Sequence, residues 1–183
     1  MTIRSLLLAC AVLVAGSAAA QLPTITEVPP GQLDPADVTF ILDANTSNIT
    51  QIAMGHAADS KAANPGIASL ADKIVSSHMK ADSALQMLAS RKHVDLPRRA
   101  ASDDHAEIAD LHDKNRGGSF DAQYVRNVID DHDRMIAMYT AARSESMDAD
   151  IRAYADVMLP ALRENRDQAL AMQNKQLGAS SGR

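Results

Sequence analysis

Two histidines and two carboxamides are the residues whose types and placement could do chemistry in this chain. Gln51, His78, His132 and Asn165 each interrupt a run of mostly apolar residues that repeats at helical spacing. The runs are Ile41, Ala44, Asn48, Gln51, Gly55, Ala58; then Ile67, Leu70, Ile74, His78, Leu85, Leu88; then Tyr124, Val128, His132, Met135, Tyr139; and finally Ile151, Tyr154, Met158, Leu162, Asn165, Ala169, Met172. A period near 3.6 places each set on one face of a helix. The four polar residues fall near mid-helix. Antiparallel packing of the helices would therefore bring them to one level of a common core.

Such a layer has two readings. Buried polar groups find partners. Two imidazoles and two amides can satisfy one another, with or without a water, and so fix helix register without performing chemistry. Alternatively, His78 and His132 could hold a single transition metal ion such as zinc or copper. The di-iron carboxylate pattern is absent, because Val75 and Ile129 stand three residues before the histidines, where that pattern needs Glu. Asp82 and Asp131 are the nearest acids in sequence, and Asp131 is expected to point off the stripe.

Other chemistry-bearing residues read more simply as structure. His105 and His112 share the neighbourhood of Asp103, Asp104 and Asp113, a pattern that fits a solvated surface better than a metal site. Met54, Met79, Met135 and Met138 could join histidine in a surface copper carrier, but Met at helical spacing is usually core filler. Most of Asp130-Asp131-His132-Asp133 reads as a solvated helix face. Asn45-Thr46-Ser47 and Asn48-Ile49-Thr50 match the glycosylation pattern but lie inside a predicted helix. The chain has no Gly-rich phosphate loop, no G-x-S-x-G and no HExxH, and nothing nominates a Ser beside a base. These absences point to a non-enzymatic protein.

The elements that must position the four residues are marked by their ends. Asp34-Pro35-Ala36-Asp37 combines a capping Asp, a Pro at the first helical position and an acid in the first turn. The first helix is expected over about 35–60. Asn64-Pro65 repeats the signal for a second helix over about 65–92, and Leu96-Pro97 prevents continuation. Arg91-Lys92 would offset the dipole at that helix's end. A short helix is expected over 102–115, broken by Gly117-Gly118. Ser119 would cap a third long helix reaching about Ser144. A fourth starts near Asp148 and ends at about Leu177, before Gly178. No run of β-branched residues alternates as a strand would. The expected fold is therefore all-α: a ferritin-like four-helix bundle, with two helical hairpins joined by a long crossover over 93–118 that contains the short helix. It spans residues 34–178 and leaves 179–183 as a disordered tail.

The flanks bear on location. Arg4, an apolar run from Leu6 to Ala15 and Ala18-Ala19-Ala20 form a signal peptide over 1–20, too short to span a bilayer. The chain is thus expected to be exported, periplasmic or associated with the cell envelope. Residues 21–33, with Pro23, Pro29, Pro30 and Gly31, read as an extended linker. The one cysteine, Cys10, lies within the signal; the apolar run continues past it, which argues against a lipid anchor. The formal charge is −5, and becomes −6 without Arg4; with no Trp and five other aromatics, the chain is not suited to nucleic acid. No later stretch could span a membrane. The same periodicity would also suit an oligomer sharing its core.

A set of short pieces carries a family resemblance: Phe40-x-x-x-Ala44, Gly55-x-x-Ala58, the helix of His78, Leu96-Pro97, Phe120-Asp121-x-x-Tyr124, His132 and Leu159-Pro160-x-Leu162. In this order and spacing they resemble the exported bacterial ferritin-like group called domain of unknown function 4142, some of whose members are labelled outer membrane proteins. The resemblance covers Phe40 to about Met172. It implies a ferritin-like bundle in the periplasm or envelope. It also implies an acid near Gln51, Asp-His where this chain has Ser77-His78, and His where it has Asn165. Only His78 and His132 keep the family's histidines here.

Overall fold

The structure is a computed structural model that describes residues 33–98, 109, 111, 113 and 117–181. The signal peptide, all of the linker but Leu33, and His105 and His112 lie outside the described residues. Four long helices account for nearly all the rest: α1 (Pro35–Lys61), α2 (Pro65–Arg91), α3 (Gly118–Glu145) and α4 (Ala149–Ser181). There is no strand among the described residues.

The helix starts follow from capping chemistry. Asp34 accepts a hydrogen bond from the Ala36 amide, and Asn64 from that of Gly66, each at 2.8 Å, and each cap is followed by a Pro that fits the first helical position. Asp148 caps α4 by accepting from the amides of Asp150 and Ile151. Two expectations about ends are corrected. Ser119 does not cap α3; the cap position lies two residues earlier, at Gly117, whose φ of 138° breaks the chain direction as only glycine does readily. Gly178 does not stop α4, which continues through the predicted disordered tail to Ser181. A glycine stop requires the left-handed conformation, and Gly178 does not adopt a positive φ.

The helices form the expected crossed-over bundle. Each packs on two neighbours: α1 on α2 and α3, and α4 on α3 and α2. That leaves α2 and α3 on one diagonal and α1 and α4 on the other. One end of the core gathers Phe40, Ile41, Leu85, Leu88, Tyr139 and Ile151. The other gathers Met54, Ile67, Leu70, Phe120, Tyr124 and Ala169. The start of α1 thus lies with the ends of α2 and α3 and the start of α4, so every adjacent pair is antiparallel. Such an arrangement requires the segment after α2 to return along the bundle. Ala109, Leu111 and Asp113 of that segment are helical, and Leu111 is fully buried in the second cluster.

Lys92 does more than offset a helix dipole. Its ammonium lies 2.6 Å from Asp148 and 2.9 Å from Asp150, joining the end of α2 to the start of α4. Its hydrogen bonds to those carboxylates, Asp148 first, raise its pKa.

Gly55 sets the approach of α1 to α2. A Cβ there would clash with Val75 Cγ2 and meet the Ala71 carbonyl oxygen at 3.4 Å. Val75 is stiff in a helix and cannot swing clear cheaply. Gly55→Ala is therefore expected to lower stability by up to about 2 kcal/mol: overpacking costs about 1–3 kcal/mol, offset by about 1 kcal/mol of helix propensity. Urea denaturation would check this, and stabilisation would show that the two helices can move apart freely.

Candidate functional site

All four residues of the expected layer are buried: Gln51, His78, His132 and Asn165. Their partners differ from the expected mutual arrangement. Only the histidines meet directly. Their Nε2 atoms lie 3.4 Å apart, with ring centroids 5.4 Å apart and planes at 84°. The pair spans the α2–α3 diagonal through the centre of the bundle.

Neither expected amide bonds a histidine. Gln51 donates through Nε2 to Asp131 Oδ2 at 2.6 Å, joining α1 to α3. Asn165 donates through Nδ2 to Ser77 Oγ at 2.9 Å, joining α4 to α2. Asn165 and His78 still border one small cavity of about 20 Å³, with Asn48 and Ser77. That volume is of the order needed for one water.

Asp131 is also a correction: it points inward and is only 6% exposed. The other carboxylates of its run, Asp130 and Asp133, are exposed as expected. The buried face of α3 is wider than a single stripe because the helix packs on both α1 and α4. Asp131 occupies the side toward α1, where Gln51 meets one carboxylate oxygen and Arg134 the other.

The amide that serves the histidines is Asn48, which stood on the apolar stripe but outside the expected layer. It faces His78 Nδ1 at 2.9 Å. Proton counting gives the chain a direction. His132 Nδ1 lies 2.8 Å from the Val128 carbonyl oxygen, which can only accept, so Nδ1 carries the proton. The neutral ring then presents Nε2 as an acceptor. If His78 Nε2 donates to it, His78 Nδ1 is left as an acceptor. With the Asn48 oxygen toward that atom, two acceptors would face each other and the amide Nδ2 would be buried without a partner. Rotating the amide by half a turn exchanges its two ends and places the nitrogen to donate. With the amide turned, one neutral chain runs from Asn48 through His78 and His132 to the Val128 carbonyl; with the amide as placed, His78 Nδ1 donates to Asn48 and the two Nε2 lone pairs face each other.

Burial keeps both rings neutral. Desolvation, then the neighbouring His132, pushes the pKa of His78 down to about 3. Desolvation pushes that of His132 down to about 4, against the opposing effects of the Val128 hydrogen bond and Asp133.

The donor set tests two metal chemistries. A di-iron centre does not fit, since Val75 and Ile129 replace the required carboxylates. Among the described residues no three His, Cys, Asp or Glu side chains come together as a metal site. What remains is a pair of imidazoles. If the Asn48 oxygen does face His78, both Nδ1 atoms are donors and both Nε2 lone pairs converge. Their 3.4 Å separation matches two ligands at about 2.0–2.1 Å from one tetrahedral ion.

Several pieces behind the family resemblance act structurally. Asp121 is buried, and its two carboxylate oxygens accept from the amides of Ala63 and Asn64, each at 3.0 Å. It ties the start of α3 to the turn between α1 and α2. The Pro97 carbonyl accepts from Asn45 Nδ2 at 2.8 Å, fastening the segment after α2 to α1. Phe40 packs edge-on against Tyr139 and Tyr154. Asp121→Ala is expected to cost about 2–4 kcal/mol, because two charge-assisted bonds to backbone amides are lost and the amides are stranded. Thermal denaturation would measure it, and a loss under about 0.5 kcal/mol would mean that water replaces the carboxylate.

Comparison with known proteins supports this architecture. No curated protein matches the chain. A solved structure described as a DUF305 fragment from Deinococcus radiodurans superposes with a TM-score of 0.69 at 16% identity, covering 79% of this chain and 99% of that one. At that identity the likeness concerns the fold. The family model "Domain of unknown function (DUF4142)" matches residues 22–172. With the bundle, the crossover and the sequence pieces all in place, the chain belongs to the DUF4142 family.

Proposed function

We propose that this protein is an exported helical-bundle protein of the periplasm or cell envelope that acts as a binding or envelope-stress module, without catalysing a reaction. The central polar layer sets the register of the helices. The observation that supports this reading is that both imidazoles are buried and have a polar partner at Nδ1, Asn48 for His78 and the Val128 carbonyl for His132. Export is supported by the N-terminal pattern from Arg4 to Ala20. No described helix is long and apolar enough to cross a membrane.

Elemental analysis of protein purified from the periplasm tests the reading. The expected result is transition metal well below one ion per chain, unchanged in a His78→Ala, His132→Ala variant. The converging Nε2 atoms favour a second reading, a metal-binding protein that stores or oxidises a single transition metal ion. Stoichiometric metal that disappears in the double variant would establish that reading and overturn the first. Copper that survives the double substitution would point instead to a surface carrier built from Met and His.

A further inference from the structure

We propose that the groove between the start of α1 and the end of α3 binds a small amphipathic organic cation, an ammonium or guanidinium carried on an aliphatic or aromatic body. The groove holds about 390 Å³. That is within the range of small-molecule sites, which are mostly apolar with a few convergent polar groups. Its apolar lining includes Phe40 and Met138, and Met147 beside them is 90% exposed. Every charged residue lining it is acidic: Asp34, Asp37, Asp43 and Glu145.

The neighbouring cations are already engaged. Lys92 pairs with Asp148 and Asp150, Arg143 with Asp156, and Arg152 donates to the Ser146 carbonyl. Among the described residues none of the four lining carboxylates has an ion pair. Asp37 is buried in the groove wall. Burial raises its pKa, Ser146 opposes that by hydrogen bonding, Asp34 and Asp148 add to the rise, and the charge of Lys92 offsets part of it. A cation seated there would relieve that repulsion; the carbonyl end of α3 favours the same sign, while the opposing amide end of α1 is already capped by Asp34. An anion would be repelled, and an uncharged ligand would leave the carboxylates uncompensated. Two larger grooves lack this selectivity, because Lys80 stands among the acids of one and Lys92 beside Asp95 in the other.

The test uses the whole mature chain with phenylbutylammonium and with phenylbutanol, which shares its body but carries no charge. Amide NMR shifts locate binding and calorimetry measures it. The amine is expected to shift Ala141, Glu145 and Met147 and to bind about tenfold more tightly than the alcohol, with the advantage shrinking at high salt. Asp43 and Glu145 are exposed, so Asp43→Asn with Glu145→Gln should keep the fold and weaken amine binding about fivefold. Ala141→Trp should fill the groove and abolish binding. Equal affinity for amine and alcohol would overturn the proposal. So would no shift with either compound, binding that survives Ala141→Trp, or capture of a cationic peptide in place of the amine. None of these outcomes depends on the metal content of the histidine pair, so the two tests can fail separately.

Discussion

Replacing His132 with alanine is expected to cost about 3–5 kcal/mol, a large share of the roughly 5–15 kcal/mol that holds a typical domain together. Two losses add. Truncating a large, fully buried side chain leaves a cavity, and core truncations of that size cost about 2–5 kcal/mol. His78 Nε2–H would also lose its acceptor in a dry site, at about 1–3 kcal/mol. Some of that is recovered if a water enters the space. Replacing both histidines with leucine restores the volume and removes the internal donor and acceptor together, leaving only Asn48 without its histidine partner. That double variant should therefore be more stable than His132→Ala alone. A urea series on the three proteins would show it. A double variant no more stable than His132→Ala would mean that the two rings are not coupled.

Acidification is the second large effect. Both histidines have lowered folded-state pKa values, so below about 6.5 the unfolded chain binds protons that the folded one refuses. The histidine contribution is complete above that value. It declines as the pH falls, until the rings themselves protonate near about 4 and about 3. Each histidine then costs about 1.4 kcal/mol per pH unit. From about pH 6.5 to about pH 5 the pair should remove about 3 kcal/mol. Denaturation at several pH values would trace this slope. The His78→Leu, His132→Leu variant should show a much flatter profile. A wild-type profile equally flat over the same interval would mean that water reaches the rings.

The helices were legible because their ends carry strong local signals. Asp34-Pro35 and Asn64-Pro65 work within a few residues, and capping is a local interaction. The inward direction of Gln51, His78, His132 and Asn165 was legible from a single period. Their partners were not. Asn48 sat in the same stripe as Gln51, but spacing along α1 does not say which of the two reaches the α2–α3 diagonal. Asp131 lies one residue from His132, about 100° around the helix, and is buried only because a second neighbour covers that side. Asp121 stood in the sequence only as part of the Phe120-Asp121-x-x-Tyr124 piece. Its partners, Ala63 and Asn64, come from a turn nearly sixty residues earlier in the chain. Periodicity reports which way a side chain points; contacts between distant segments depend on how helices are placed around one another.

The contact between His78 and His132 joins one hairpin to the other across the centre of the bundle. Either hairpin could form alone without it. The ring protons on this diagonal therefore serve as a clock for docking. Their exchange with solvent should follow separation of the hairpins, even while the helical backbone of each remains protected. Slow exchange at the His132 Nδ1 proton would distinguish an assembled bundle from two helical halves that have drifted apart.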